Sequence, residues 1–248
     1  MKKMLLLFIM AGLILSMFIG CIPTTPTEGE PELSDRVVMI ELFIAMDCSN
    51  CKVVEPILEQ LVEEYGYKQT VLVEEAVNWS EYTTPEISNR YDWYFPPPSD
   101  DRGIPNILFN GLNENWIHGA SNYQNIKNKI EAELTKDAKI IITASQNQNI
   151  NNSIISGTVK NVSDIELSNL EINGMIFIER DEENLKYSVT DIFDEQKFEI
   201  ITLSPEETYE FSFILEGINW NNEDIHGVVF VQAPNSASKE ILQACYVE

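Results

Sequence analysis

The sequence predicts two folded units in series, a mixed α/β domain over residues 35–136 and an all-β sandwich over residues 137–248. Three observations carry this. Between residues 35 and 136, apolar runs of strand length alternate with segments of helical period, the pattern of a sheet flanked by helices. After about Lys136 the helical period disappears, Asn and Ser rise, and short apolar segments are separated by polar turns, as in a sandwich. At 248 residues the chain is long enough for two domains, each with its own core.

The chain opens on Lys2-Lys3, then Met4–Ile19 without a charge, ending Phe18-Ile-Gly-Cys21. A basic start, an apolar stretch and a small residue before cysteine read as a secretory signal over residues 1–21. Its Gly20-Cys21 end resembles a lipoprotein signal, which implies lipidation of Cys21. Phe18 departs from the leucine-like residue usual at that position, and an uncleaved anchor is the competing reading. Either places the rest outside the cytoplasm, tethered to a cell-envelope membrane on its periplasmic or cell-surface side, where disulfides are permitted. Ile22–Ser34, rich in Pro, Thr and Glu, reads as a flexible tether.

The first domain is organised around Met46-Asp-Cys-Ser-Asn-Cys-Lys-Val-Val-Glu-Pro56. Val37–Ala45 before it reads as a buried strand. Val53, Val54, Ile57, Leu58, Leu61 and Val62 after it fall on one helix face. Cys48 therefore belongs at a strand-to-helix junction, where free N–H groups and the helix dipole favour a thiolate. Cys51 stands one turn on, close enough to close a disulfide.

Cys48-x-x-Cys51-Lys52-x-x-x-Pro56 resembles the active-site helix of the thioredoxin superfamily. Gly103-Ile-Pro-Asn-Ile-Leu-Phe-Asn-Gly111 resembles its second landmark, where a cis proline opens a strand facing the dithiol. Trp116-Ile-His-Gly119-Ala120 and Asn122–Leu134 resemble its last strand, glycine bend and closing helix. The resemblance covers residues 35–136 and implies a thioredoxin-like fold. It also implies Cys48 as attacking thiolate, Cys51 as resolving thiol, and Ile104-Pro105 as the backbone that pairs with substrate.

Three departures matter. Asp47 stands where such proteins often carry Trp, and a carboxylate there opposes thiolate formation. Ser49 and Asn50 supply no histidine between the cysteines. The buried acid of the preceding strand is unmatched, with Leu42 at that place and Glu41 beside it. These features predict a moderate or reducing potential and slow exchange.

Between the landmarks, Asn78–Arg102 is an insert. Thr84 as cap and Pro85 at the first position predict a short helix over 84–91. Trp93, Tyr94 and Phe95 follow; they are expected to pack on this domain or its neighbour rather than to wall a peptide groove.

In the second half, eight strands are predicted: Ala138–Ala144, Ser153–Lys160, Leu170–Glu179, Tyr187–Ile192, Phe198–Leu203, Thr208–Leu215, Gly227–Ala233 and Glu240–Val247. Gly157-Thr-Val-Lys-Asn-Val-Ser-Asp164 resembles the opening of bacterial immunoglobulin-like domains, implying an immunoglobulin-like sandwich. The whole order of segments is similar to bacterial outer-membrane and surface lipoproteins of this two-domain type. Cys245, in the last strand, is expected to be a small core residue.

Composition narrows the chemistry. Sixteen basic against forty acidic residues give a net charge of −24, so nucleic acid is excluded as a partner. Membrane attachment must come from the N-terminus through lipid or signal anchor. Asn-x-Ser occurs at Asn78, Asn151 and Asn161. One CxxC supplies two zinc ligands of four, and His118 and His226 fall in different domains, so neither metal nor cofactor is expected. The expected function is a thiol–disulfide oxidoreductase using the Cys48–Cys51 dithiol on exported cysteine-containing proteins or a redox partner protein. The alternative is a surface lipoprotein of binding or structural role with a static disulfide.

Overall fold

Strand β1 (Val38–Ile44) is buried along its whole length, as a run of seven residues with one glutamate demands. A computed structural model describes residues 36–148, 152–180, 184–220 and 224–247. The signal, the tether and Cys21, as well as Asn151, lie outside these residues. Helix α1 (Cys51–Tyr65) follows β1 and buries Cys51, Val54, Leu58, Leu61 and Val62. Strand β2 (Thr70–Ala76) then runs parallel to β1.

The insert folds into α2 (Pro85–Tyr94). Thr84 caps it as predicted, its hydroxyl accepting the Ile87 N–H at 3.3 Å, with Pro85 in the first turn, where a missing N–H costs nothing. Strand β3 (Asn106–Phe109) is antiparallel to β1, with Phe43 opposite Asn106. Strand β4 (Ile117–His118) pairs with β3, and α3 (Tyr123–Leu134), capped by Asn122, completes this half.

Eight strands then follow where eight were predicted: β5 (Ile140–Gln148), β6 (Asn152–Asn161), β7 (Leu167–Glu179), β8 (Tyr187–Ile192), β9 (Phe198–Leu203), β10 (Thr208–Glu216), β11 (Ile225–Gln232) and β12 (Ile241–Val247). Strands β10, β6 and β5 form a small antiparallel sheet. Gly157 on β6 permits its close pairing, since a Cβ there would sit 1.8 Å from the Thr143 carbonyl oxygen. The other strands join those of the first half in one mixed sheet, ordered β12-β11-β7-β8-β2-β1-β3-β4, with β9 beside β7. The link is a parallel bridge between Glu74 on β2 and Ser188 on β8. The molecule is thus mostly β, and the described residues form one compact unit.

Strands β7 and β11 explain how the halves are joined. Met175, Phe177, Val228 and Phe230 enter the core shared with β1, β2 and the helices. Their alternates Ile172, Ile176, Val229 and Val231 enter a second core beneath the small sheet. A strand buried on both faces reads as a continuous apolar run, as Met175–Ile178 and Val228–Val231 do.

A buried polar network spans the same seam. Arg90 Nε donates to Glu41 Oε1 at 2.5 Å and the Tyr94 hydroxyl to Glu41 Oε2 at 2.8 Å. From β11, Gln232 Nε2 donates to the Tyr94 hydroxyl at 2.9 Å. Tyr91, Tyr94 and Phe95 also pack their rings on Phe43. Tyr91, Tyr94 and Phe95 are therefore packing groups, because a helix laid across the seam must fill it.

Candidate redox site

The β1 strand ends at Ile44 and the chain turns through Asp47, whose φ of 60° reverses it toward α1. Cys48 and Cys51 are joined in a disulfide with Cα atoms 5.3 Å apart. The helix proper begins at Cys51, three residues later than Cys48. Cys48 nevertheless belongs to the helix start. Its carbonyl oxygen accepts the Lys52 N–H at 3.3 Å, and its Sγ accepts the Cys51 N–H at 3.1 Å. Asn50, at the cap position, makes no side-chain capping bond, so the sulfur takes the acceptor role that a capping oxygen commonly fills. A thiolate at Cys48 would gain from that N–H and from the helix dipole.

Access to the two sulfurs differs. Cys48 is half-buried, whereas Cys51 is 2% exposed. Met46, 60% exposed, and Val53, 49% exposed, flank the pair with apolar surface. Asp47 is exposed to solvent, which screens its charge.

A cleft of about 140 Å³ adjoins the disulfide; Cys48, Cys51, Lys52, Glu55, Trp79 and Asn184 are among its lining. Three of these residues were not foreseen, Trp79 of the insert among them. Asn184 comes from the second half, just before β8, and walls the dithiol. Glu55 lies one helical turn after Cys51 and is 2% exposed. Burial, with the Glu59 charge behind it, raises its pKa, against the Leu185 N–H that its Oε1 accepts at 2.8 Å. Behind it stands Glu74, fully buried. Burial first, then the Glu55 charge, pushes its pKa to about 8. Its Oε2 accepts the Tyr187 N–H at 2.9 Å, and its Oε1 has no hydrogen-bond partner among the described residues. Glu55 stands immediately before Pro56 in the sequence, inside an apolar helix face, which was the available signal.

Ile104-Pro105 is a cis peptide bond leading into β3. The antiparallel register of β3 with β1 places it at the sheet end from which the chain runs to Cys48. Ile104 and Pro105 do not line the cleft beside the disulfide. Glu41 does not line the cleft and is held in the Arg90 and Tyr94 network. His118 Nδ1 meets Asn106 Oδ1 at 3.0 Å, and His226 Nδ1 meets the Tyr246 hydroxyl at 2.6 Å. Cys245 is a free thiol, half-buried in β12, and burial raises its pKa. Among the described residues no helix is long and apolar enough to cross a membrane.

Fold and site together define a mostly β protein with mixed and antiparallel sheets and a CxxC disulfide at a strand-to-helix junction. Among solved structures, the chain is similar to HBP35 of Porphyromonas gingivalis, with a TM-score of 0.67 over 86% of this chain and 74% of that one, at 17% identity. That likeness is one of fold. A domain of the outer membrane lipoprotein Omp28 from Porphyromonas gingivalis aligns with a TM-score of 0.32 at 14% identity, over 45% of this chain and 88% of that one. The β-glucuronidase of Bacteroides uniformis aligns with a TM-score of 0.28 at 21% identity, over 44% and 12%. No protein-family model and no curated protein matches the chain.

Proposed function

We propose that this protein is a membrane-anchored, extracytoplasmic thiol–disulfide oxidoreductase of thioredoxin-like fold, acting on exported cysteine-containing proteins. The observation that carries the reading is the Cys48–Cys51 disulfide itself. Its outer sulfur is half-buried and holds a helix N-terminal N–H at 3.1 Å. The placement of Ile104-Pro105 at the same sheet end adds to it. The signal-like start, ending at Cys21, supports the membrane location.

In the reducing direction the Cys48 thiolate attacks a substrate disulfide. A Cys48–substrate disulfide forms, and the first substrate sulfur leaves with its electron pair. The Cys51 thiol gives up its proton and attacks Cys48 Sγ. The Cys48–Cys51 bond forms, and the second substrate sulfur leaves as a thiolate. Two electrons have passed from the dithiol to the substrate, and a dithiol partner protein restores the reduced pair by the reverse steps. Cys51 is 2% exposed, so its proton needs a local acceptor. Glu55, on the same helix face and lining the same cleft, is that acceptor, its pKa raised by burial toward the range where proton transfer is efficient. Ile104-Pro105 presents backbone to the substrate strand.

The test is turnover of a protein disulfide by the reduced full chain. Cys48→Ser is expected to abolish it, and Cys51→Ser to accumulate a mixed disulfide at Cys48. Equal rates for wild type and Cys48→Ser would exclude the enzyme and leave a disulfide-stapled surface lipoprotein.

A further inference from the structure

Far from the dithiol in the sequence, a second cleft of about 350 Å³ opens where α2, β7 and β11 meet. That volume is within the range of small-ligand sites, roughly 300–1,000 Å³. Its floor is polar yet buried: Arg90 is 6% exposed, and Asn173 and Gln232 are each 4% exposed. The floor is also rigid. Arg90 is fixed by Glu41, and Gln232 by the Tyr94 hydroxyl. Asn173 Nδ2 donates to Asp194 Oδ1 at 2.8 Å, while its Oδ1 accepts the Gly174 N–H at 2.8 Å.

The rim offers both donors and acceptors. Lys197 pairs with Glu171 at 3.2 Å. The side-chain amides of Asn89 and Asn235 are exposed and have no hydrogen-bond partner among the described residues. The indole of Trp93 and the ring of Pro234 supply apolar surface. Lys239, which is not part of the lining, lies 4.4 Å from the indole centroid and holds that ring in place.

This lining selects by chemistry. Both cations of the lining are already paired, Lys197 with Glu171 and Arg90 with Glu41, so the cleft offers no spare positive charge to an anion. The molecule's net charge of −24 repels anions. An apolar ligand would strip water from amides and ions without replacing its hydrogen bonds. A neutral molecule with many hydroxyls and an apolar C–H face satisfies both kinds of surface. Its hydroxyls bridge amide and carboxylate groups, and its C–H face packs on Trp93. We infer that this cleft binds a neutral sugar unit of a glycan. The site is independent of the redox reading, since none of its residues lines the dithiol cleft.

The experiment is isothermal titration and ligand-observed NMR of the full chain with neutral hexasaccharides of glucose, N-acetylglucosamine, mannose and galactose. Oligogalacturonate serves as the anionic control. At least one neutral hexasaccharide is expected to bind and the control not to. Trp93→Ala and Asn235→Ala are each expected to weaken that binding by about tenfold, the size of one lost contact. Asn235 is exposed in a turn, so its variant folds even where Trp93→Ala does not. Binding by none of the four neutral sugars, stronger binding of the anion, or an affinity unmoved by Asn235→Ala would overturn the inference.

Discussion

Glu55 and Glu74 are buried carboxyls on neighbouring elements; Glu55 accepts the Leu185 N–H just before β8, and Glu74 accepts the N–H of Tyr187, the first residue of β8. For Glu55 the expected consequence is kinetic. Glu55→Gln keeps an acceptor for the Leu185 N–H but takes no proton from Cys51. Resolution of a mixed disulfide at Cys48 should then slow by about 10²-fold, at the low end of general acid–base effects, and lose the acid-side ionisation from its pH profile. Superimposable profiles for the two proteins would assign Glu55 to structure alone. For Glu74 the consequence is thermodynamic. Its folded pKa, about 8, lies above the ordinary 4.5, so the folded state holds a proton that the unfolded chain releases. Its contribution is complete below pH 4.5 and is lost as pH rises through about 8. Stability should fall across that window with a slope on the order of 1 kcal/mol per pH unit. Denaturant titrations at several pH values should find the slope reduced in Glu74→Gln; an unchanged slope would contradict the assignment. At this scale the Cys48–Cys51 disulfide was legible because the spacing of the two cysteines is local. The part played by Glu55 was not, since a glutamate on an apolar helix face signals burial only when the covering segment, 130 residues away, is known.

Elements were legible wherever one periodicity governed them. The caps Thr84 and Asn122 set two helix starts, and Tyr187–Ile192 and Phe198–Leu203 form strands with the predicted bounds. The helix over 84–91 runs on to Tyr94, because Tyr91 and Tyr94 find Phe43 to pack on. The same helix delivers Arg90 to Glu41. Replacing Arg90 by Met leaves the Glu41 carboxylate buried without its cation, a loss expected to cost about 3–5 kcal/mol. Equilibrium unfolding of Arg90→Met measures it, and a change under 1 kcal/mol would mean that Glu41 and Tyr94 suffice alone.

Across the whole molecule, the sheet continues from the first half into the second through β2 and β8, and the alternating faces of β7 and β11 serve two cores. Composition changes near Lys136 without disclosing this, because strand pairing between distant segments leaves no local mark. One cooperative thermal transition is expected, read alike by near- and far-ultraviolet circular dichroism. Two separated transitions would mean that the seam contributes little. The same continuity places Asn184 and Leu185 beside the dithiol helix, so the second half shapes the cleft in which exchange is proposed to occur.

The central claim is that Cys48–Cys51 cycles while the protein stays folded. The most direct measurement is a redox titration of the full chain in defined glutathione and dithiothreitol buffers. Alkylation is read by mass on the peptide carrying both cysteines, and folding is followed in parallel. The account predicts a reversible two-electron midpoint on the moderate or reducing side of known exchange proteins, with native structure on both sides of it. A pair that stays oxidised until the chain unfolds would contradict it and make the disulfide a structural staple.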